Sequence, residues 1–346
     1  MDFNEVKKRL QGHFTDGLVT IVGSGLSVAA GLPGMKELAE HLLKAMDGEG
    51  QGDVQTQWKP IREKLAAGMM LEIALKDVDV GNVVLDRIVN VTARFVESRE
   101  REVLQRIYRD DVKLPFAGLL PHLSFNSDRI SVITTNYDRL IEFAAEIAGL
   151  GIDTLFPGQY YGEFDPGLSK EALWTGKQTQ KRNNIKRVYR KHVVVLKPHG
   201  SLDWFSLKGR PVRCTVQIDA PRLMITPGQN KYRMGYERPF DQHREAANRA
   251  IDDASRLLII GYGFNDDQLE THLRPKIQKG TPCVVLTKDL SENGQKLVKE
   301  SKSILGICSY FEGEKECSKV LFDGRDSVLP GLRAWDLDDF VKEVLK

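Results

Sequence analysis

Five short apolar runs stand out from a chain whose other apolar residues mostly follow helical spacing. They are LVTIV at 18–22, SVITT from 131, VVVL at 193–196, RLLII at 256–260 and PCVVL at 282–286. The runs are rich in β-branched residues, and most end in glycine, asparagine, histidine or aspartate. Continuous apolar runs are typical of strands buried on both faces of a parallel sheet. We therefore predict a parallel sheet at the centre of the protein.

Helical spacing of apolar residues surrounds these strands. It is present in residues 3–14, in MKELAEHLLKAM after Pro33, and in RLIEFAAEIAG. From about residue 58 to 125 only helical periodicity is found, and a polar, glycine-containing linker precedes it. This pattern predicts a helical insertion over about residues 48–125.

Two further segments, 151–191 and 206–250, lack a clear period and carry turn signals. We predict that both are insertions rather than strands of the sheet, and that 151–191 is irregular. The whole chain, residues 1–346, is then expected to be a single α/β domain, a Rossmann-like parallel sheet flanked by helices.

Composition and charge narrow the classes of function. The chain has 50 basic and 48 acidic residues, a formal net charge of +2, so no overall field favours nucleic acid or an anionic membrane. The basic stretch KQTQKRNNIKRVYRKH is expected to be a solvated face rather than a direct nucleic-acid contact. No apolar run reaches the roughly 18 to 20 residues of a membrane span, and the N-terminal segment is amphipathic. We expect a cytoplasmic protein without membrane contact.

The cysteines and histidines give no metal-binding pattern. The four cysteines form no C-x-x-C pair, and none of the seven histidines has H-E-x-x-H spacing. We expect reduced, mostly buried thiols, no zinc ribbon and no metal site.

Candidate chemistry lies in the loops that follow the predicted strands. In an open parallel sheet, ligands bind outside the carboxyl ends of the strands. The loops that begin near residues 23, 134, 198 and 261 are therefore expected to be neighbours.

The first loop contains Gly23, Ser24 and Gly25. Two glycines let a backbone approach a phosphate, and the N-terminus of the next helix attracts an anion. The alternative is an ordinary strand-to-helix turn. No acidic residue ends a second strand about 20 residues on to hold a ribose, which departs from the dehydrogenase pattern.

The next two loops carry polar side chains. Asn136 and Asp138 lie two residues apart and can face one ligand, although an Asx turn or helix cap explains them equally well. His199 follows a buried strand between Pro198 and Gly200, in a position suited to acid–base work. The alternative for His199 is a structural histidine.

The fourth loop, Gly261 to Asp267, combines two glycines with a carboxamide that can close over an adenosine. Its alternative is a tight loop without ligand.

Together and in this order, the loops resemble those of the sirtuin family. The sirtuin pattern G-A/S-G-x-S-x-x-x-G-I/L-P is present from Gly23 to Pro33, T-x-N-x-D from Thr134 to Asp138, and H-G at His199. The late third glycine of the first loop, Gly31, fits this pattern.

The resemblance implies a role for each loop. The loop from Gly23 to Ser27 would hold the NAD pyrophosphate, Asn136 would contact the nicotinamide ribose, and Asp138 would hold the nicotinamide carboxamide. His199 would be the general base or a hydroxyl-orienting group. The remaining cofactor-binding positions that the resemblance implies, with the last three bordering the adenosine half, are Gly31, Thr135, Gly200, Gly261, Gly263 and Asn265.

The departures from the family pattern bear on the reaction. Deacetylases of the family carry four zinc-binding cysteines in C-x-x-C pairs, and this chain has none. The D-F-R that follows the first loop is replaced by Gly34-Met35-Lys36. What remains is similar to the sirtuin-like NAD hydrolases of bacterial anti-phage defence, in which P-H-G-S-x-x-W and G-Y-S/G-F-x-D recur; both are present here, from Pro198 and from Gly261.

From this resemblance we expect a stand-alone NAD+ glycohydrolase that uses NAD+ as a substrate and needs no cofactor, with Asn136 and His199 as the catalytic residues. Its partners would be further copies of the chain, as a homo-oligomer, and a HerA-type hexameric ATPase. One alternative is a module that senses NAD or ADP-ribose and acts through a partner. Another is protein deacylation or ADP-ribosyl transfer.

Overall fold

The fold is described from a computed structural model. It describes residues 1–47, 52–76, 81–109, 113–123, 128–181, 184–226 and 237–346. Parts of the three predicted insertions, at 48–51, 77–80, 110–112, 124–125, 182–183 and 227–236, lie outside the described residues.

Among the described residues, a nine-stranded sheet forms the centre of the molecule. Its strands are β1 Leu18–Val22, β2 Arg129–Thr134, β3 Gly151–Asp153, β7 His192–Leu196, β11 Arg256–Ile260, β12 Cys283–Leu286, β13 Ile304–Glu312, β14 Lys315–Phe322 and β15 Arg325–Leu329. They lie in the order β15-β14-β13-β12-β11-β1-β2-β7-β3. The seven strands from β13 to β3 in that order are mutually parallel, and β14 and β15 add an antiparallel edge. The prediction of a mostly parallel α/β sheet flanked by helices is confirmed.

Both faces of this sheet are covered, which explains the continuous apolar runs. Along β1, Ile21 belongs to a hydrophobic cluster on one face and Val22 to a cluster on the other, and both side chains are fully buried. A strand that packs on both faces needs apolar residues at successive positions rather than at alternate ones. The pattern that predicted the strands therefore follows from two-sided burial.

Helices form the two outer layers. The helices are α1 Phe3–Gln11, α2 Ser24–Ala30, α3 Met35–Asp47, α4 Asp53–Ala66, α5 Leu71–Lys76, α6 Asn82–Tyr108, α7 Pro115–Leu119, α8 Leu140–Ile147, α9 Pro166–Glu171, α10 Phe240–Asp253, α11 Asp267–Gln278, α12 Glu292–Glu300 and α13 Leu337–Phe340. A 3-10 turn at Leu120–His122 and a π-helical turn at Val341–Leu345 complete them. Every described element between residues 53 and 122 is helical, as the periodicity predicted.

The helical segment has a core of its own. Leu42 of α3, Trp58 of α4 and Ile88 of α6 belong to a cluster separate from those on the sheet. The 27-residue α6 also contributes Ala93 and Val103 to the cluster on the sheet face. The long helix thus joins the helical insertion to the central sheet.

The expectation that residues 151–191 are irregular and form no strand of the central sheet is wrong, whereas the strands described within 206–250 lie outside that sheet. β3 pairs in parallel with β7 at the edge of the central sheet. A four-stranded antiparallel sheet and a separate hairpin occupy much of the rest. Their strands are β4 Tyr161–Glu163, β5 Trp174–Lys181, β6 Asn184–Tyr189, β8 Gly200–Leu207, β9 Arg210–Cys214 and β10 Arg222–Met224. These strands are short or polar on one side, so they give no continuous apolar run.

The four cysteines are free and buried, as expected. Among the described residues, no helix is both long enough and apolar enough to span a membrane.

Candidate active site

The four motif loops begin at the same edge of the sheet, at matching positions in the strand register. In the strand register Val22 pairs with Thr134 on one side and with Ile260 on the other. Ile133 pairs with Leu196 on the next strand. The strand order also reverses direction at β1, so the loops surround a topological switch point, the usual place for a ligand in such sheets. The prediction that these loops are neighbours is confirmed.

Glycines allow the loops after β1 and β11 to interlock. Gly25 N donates to Gly261 O at 2.9 Å, and a Cβ on Gly25 would lie 2.7 Å from Gly261 Cα. Gly261 has φ +58°, and a Cβ there would lie 2.6 Å from Leu26 N. No side chain fits in this space, so these glycines are required by the contact between the two backbones. Ser24 and Gly25 are exposed at the start of α2.

Ser27 connects the first loop to the second through side chains. Asn136 Nδ2 donates to Ser27 Oγ at 2.8 Å and to Gly23 O at 2.9 Å. Ser27 Oγ in turn donates to Asp138 Oδ2 at 2.7 Å. A backbone carbonyl only accepts, so the amide nitrogen of Asn136 must face Gly23. Both Nδ2 protons are then used, and Oδ1 is the Asn136 atom left for a ligand.

Asp138 is held within the protein. Its Oδ1 accepts from Leu140 N, and its side chain is buried at 4 % exposure. Burial raises the pKa of Asp138 above its usual range, and the Lys197 charge and the Ser27 hydrogen bond offset this only in part. The Asp138 carboxyl therefore anchors Ser27 directly.

The side chain of Lys197 holds the loop after β2 in place. Its fully buried ammonium pairs with Glu142 Oε1 at 2.9 Å and donates to Ser201 Oγ at 3.1 Å. It also donates to the carbonyl oxygens of Tyr137 and Asp138. A buried ammonium needs such partners to offset its desolvation. Sequence reasoning missed Lys197 and Glu142, although a lysine directly after a buried strand was a visible signal.

His199 meets a residue from the loop after β11. Its Nε2 lies 2.7 Å from Asp266 Oδ2, and the two side chains are 9 % and 6 % exposed. Asp266 ends the G-Y-G-F-N-D motif, yet it was not predicted as a site residue. The strands β1 and β2 separate β7 from β11 in the sheet. The pair therefore spans the carboxyl edge of two intervening strands.

The remaining predicted positions divide into two groups. Gly200, with φ +86°, approaches Leu223 O so closely that a Cβ would lie 2.1 Å away, and Thr135 is half-buried between Thr134 and Asn136. Asn265 and Gly263 are exposed and face away from the buried network.

The exposed pair contacts the loop after β12 instead. Asn265 Oδ1 accepts from Asn293 at 2.9 Å, and Gly263 O accepts from Ser291 at 2.5 Å. The structure thus places the proposed adenosine positions beside Ser291 and Asn293, which sequence reasoning missed.

Three side chains of α6 contact structures around the site. Glu100 binds Arg139 at 2.5 Å and also accepts from its backbone N–H at 2.6 Å. Glu97 pairs with Arg222 at 3.0 Å. Arg106 donates to Ala30 O at 3.1 Å, where the first loop ends. The helical insertion therefore helps to position the motif loops.

Gly31 shows how closely α6 approaches the first loop. It caps α2 with φ +106°, and a Cβ there would lie 2.4 Å from the Arg106 guanidinium. The late glycine of the motif is thus needed for its positive φ, and a side chain there would also displace the flexible Arg106 guanidinium.

The interior of the site is tightly packed. Ser27, Asn136, Asp138 and His199 are between 4 % and 9 % exposed. A void of only about 10 Å³ lies beside Ser27 and Asp138. A groove of about 1120 Å³ lies at the opposite edge of the sheet, where Arg256 begins β11. Within the described residues, no group of three or more histidine, cysteine or acidic side chains could hold a metal ion.

Residues 130–301 match the family model of the SIR2-like domain. This segment, called the SIR2-like segment below, is similar to that domain. The SIR2-like segment contains Asn136, His199 and Asp266, and the glycine loop after β1 precedes it. No curated protein matches the chain significantly.

The chain is also similar in structure to solved sirtuins. A sirtuin from work on sirtuin substrate affinity is 13 % identical, with 84 % of this chain and 90 % of that chain covered and a TM-score of 0.40. A Sir2 variant with a deacetylated peptide and 3′-O-acetyl ADP-ribose is 12 % identical, with 84 % and 89 % covered and a TM-score of 0.36. Sir2 bound to acetylated peptide is 11 % identical, with the same coverage and a TM-score of 0.36.

Proposed function

We propose that the protein is an NAD+ nucleosidase that hydrolyses NAD+ to nicotinamide and ADP-ribose. The SIR2-like segment supports NAD-dependent chemistry in general. The observation that carries the specific proposal is the hydrogen bond from Asn136 Nδ2 to Ser27 Oγ, because it engages the amide nitrogen within the protein and leaves Asn136 Oδ1 to accept from a ligand. His199 follows the neighbouring strand β7.

The reaction needs little acid catalysis from the protein. The electron pair of the bond between ribose C1′ and the pyridinium nitrogen leaves with nicotinamide, which departs neutral and needs no proton. The ribose passes through an oxocarbenium-like state, which is attacked at C1′ by water. Asn136 Oδ1 would accept from a ribose hydroxyl, and His199 would take the proton that the water loses.

The glycine loops would hold the rest of NAD+. Ser24 and Gly25 are exposed at the start of α2, where a pyrophosphate can approach the backbone. Gly263 and Asn265 are exposed beyond the glycine contact and would border the adenosine. A contact of Asp138 with the nicotinamide carboxamide stays a prediction, since its carboxylate oxygens already accept from Ser27 and Leu140.

We further propose that this activity depletes NAD+ in bacterial anti-phage defence and is controlled by assembly. The partners would be further copies of the chain and a HerA-type hexameric ATPase in the cytoplasm. The burial of Asn136 and His199 supports such control, because NAD+ can reach both side chains only if the loops move.

Nicotinamide release from NAD+ tests the proposal, measured on purified protein with and without a candidate ATPase. Wild type should release nicotinamide in at least one condition, and Asn136→Ala and His199→Ala should release it only at a small residual rate. The matched control is His272→Ala, which removes an exposed histidine whose Nδ1 lies 3.0 Å from Asp252. This control should release nicotinamide at the wild-type rate.

Three other outcomes would contradict hydrolysis. Binding of NAD+ without release in any condition would favour a sensing module. Release that needs an acetylated peptide would favour deacylation. Transfer of ADP-ribose to protein would favour an ADP-ribosyltransferase.

A further inference from the structure

We propose that Asp266 is a positioning residue that orients His199 and sets its tautomer, so that Nδ1 is the atom that takes the proton. The inference rests on the proposed hydrolysis and goes beyond it, because it assigns a second residue and a specific atom. It starts from the 2.7 Å separation between His199 Nε2 and Asp266 Oδ2.

The carboxylate of Asp266 is held by its own helix. Asp266 is the N-cap of the 12-residue α11, and its Oδ1 accepts from Gln268 N at 3.0 Å and Leu269 N at 3.1 Å. Leu269 is buried in the hydrophobic cluster on that face of the sheet. One oxygen therefore anchors the carboxylate, and the other lies 2.7 Å from His199 Nε2.

The backbone of His199 is equally constrained. His199 O accepts from Ile225 N at 2.9 Å, which ties the loop to the start of the segment after β10. Gly200 N donates to Lys197 O at 3.1 Å and closes a turn around His199. Both partners are thus fixed by independent backbone contacts, and the imidazole has a defined place relative to the carboxylate.

This contact decides which ring nitrogen carries the proton. An unprotonated Nε2 would place a nitrogen lone pair and a negatively charged carboxylate oxygen 2.7 Å apart, which is repulsive. Neutral His199 therefore carries its proton on Nε2 and keeps the lone pair on Nδ1. A carboxylate that orients a histidine base in this way also stabilises the imidazolium that forms when the base takes a proton.

Asp266→Asn separates this role from helix capping. Asparagine keeps an oxygen for the N-cap but replaces the carboxylate that faces Nε2. We expect kcat for nicotinamide release to fall about 10- to 100-fold, as for other groups that orient a functional histidine, with KM for NAD+ within about 3-fold of wild type. The matched control is Asp336→Asn, at the N-cap of α13, where the side chain also accepts from two backbone N–H groups, those of Asp338 and Asp339. It should leave kcat unchanged.

A double variant distinguishes a role of Asp266 that acts through His199 from a purely structural role. In a His199→Ala background, Asp266→Asn should lower the residual rate by less than about 3-fold, because the residue through which Asp266 acts is gone. An equal loss in both backgrounds would overturn the proposal, as would an Asp266→Asn variant with wild-type kcat.

Histidine nitrogen NMR tests the same proposal without relying on activity. With His199 assigned by comparison with His199→Ala, its neutral ring should show protonated Nε2 in wild type. In Asp266→Asn the His199 tautomer protonated at Nε2 should no longer predominate. If wild type releases no nicotinamide yet shows this change, the proposed hydrolysis fails and the positioning role stands. Protonated Nδ1 in wild type would overturn the positioning role.

Discussion

Ser27 Oγ donates to Asp138 Oδ2 at 2.7 Å, and this single hydroxyl also accepts from Asn136. Ser27→Ala removes the acceptor that orients the Asn136 amide, so we expect nicotinamide release to fall about 10- to 100-fold and unfolding free energy to fall by about 1–3 kcal/mol. Release assays and urea unfolding measure the two effects.

The matched control for Ser27 is Ser169→Ala. Ser169 Oγ makes a similar buried bond to Asp153 Oδ1, at 2.6 Å. This variant should lose comparable stability but keep its rate of nicotinamide release. Equal loss of activity in both variants would show that Ser27 affects the reaction only through stability.

The interlocked glycines predict a large steric effect at Gly261. A Cβ there would lie 2.6 Å from Leu26 N and 2.8 Å from Gly25 Cα, so Gly261→Ala forces the two loops apart. We expect a loss of about 3 kcal/mol or more in unfolding free energy, measured by urea denaturation. Gly280→Ala is the control, since Gly280 also has positive φ, +89°, but has nothing within 4 Å. It should cost about 1 kcal/mol, and an equal cost at both sites would contradict the steric argument.

Glu100 tests whether α6 stabilises the site. It is 1 % exposed and binds Arg139 through both the guanidinium and the backbone N–H. Glu100→Gln leaves Arg139 without its buried counter-charge, so we expect a loss of about 3 kcal/mol in unfolding free energy together with reduced nicotinamide release. Glu102→Gln removes the exposed partner of Arg99 on the same helix and should change stability by less than about 1 kcal/mol. Similar losses in the two variants would argue against a bracing role.

Two buried histidines make stability depend on pH. Burial lowers the pKa of His13 to about 4, with the Leu257 carbonyl opposing and the Arg256 charge adding to the effect. Burial, together with the Lys197 charge, lowers the pKa of His243 to about 3. As pH falls below 6.5 the unfolded chain takes up protons that the folded chain does not, so stability decreases toward acid pH.

For His13 alone this loss approaches about 3 kcal/mol near pH 4, at about 1.4 kcal/mol per pH unit. Urea unfolding between pH 7 and 5 should give a slope of stability against pH that decreases in His13→Gln, which retains a polar group near Nε2. An unchanged slope in this variant would show that His13 takes up a proton as readily in the folded protein as in the unfolded chain.

Several contacts at the site were beyond the reach of sequence patterns. Arg139 and Glu100 are 39 residues apart, and Lys197 and Glu142 are 55 apart. The sequence around a charged residue does not identify a partner that is distant in the chain, because the pairing depends on how separate helices and strands pack. The small antiparallel sheet was missed because its strands are short or are interrupted by polar residues, such as the buried Ser201 and Asp203 of β8, and so leave no continuous apolar run.

The sequence by itself determined five of the seven parallel strands, β1, β2, β7, β11 and β12, and the order of the loops that follow them; β3 and β13 were missed. A strand buried on both faces needs an unbroken apolar run, and parallel strands bring their carboxyl ends to one edge, so the loops that carry Asn136 and His199 were expected at the same edge of the sheet. Only the tertiary structure decided how these side chains are held. The bond between Ser27 and Asp138, the contact between His199 and Asp266, and the support from α6 join loops distant in sequence, and such contacts arise only when the helices pack on the sheet.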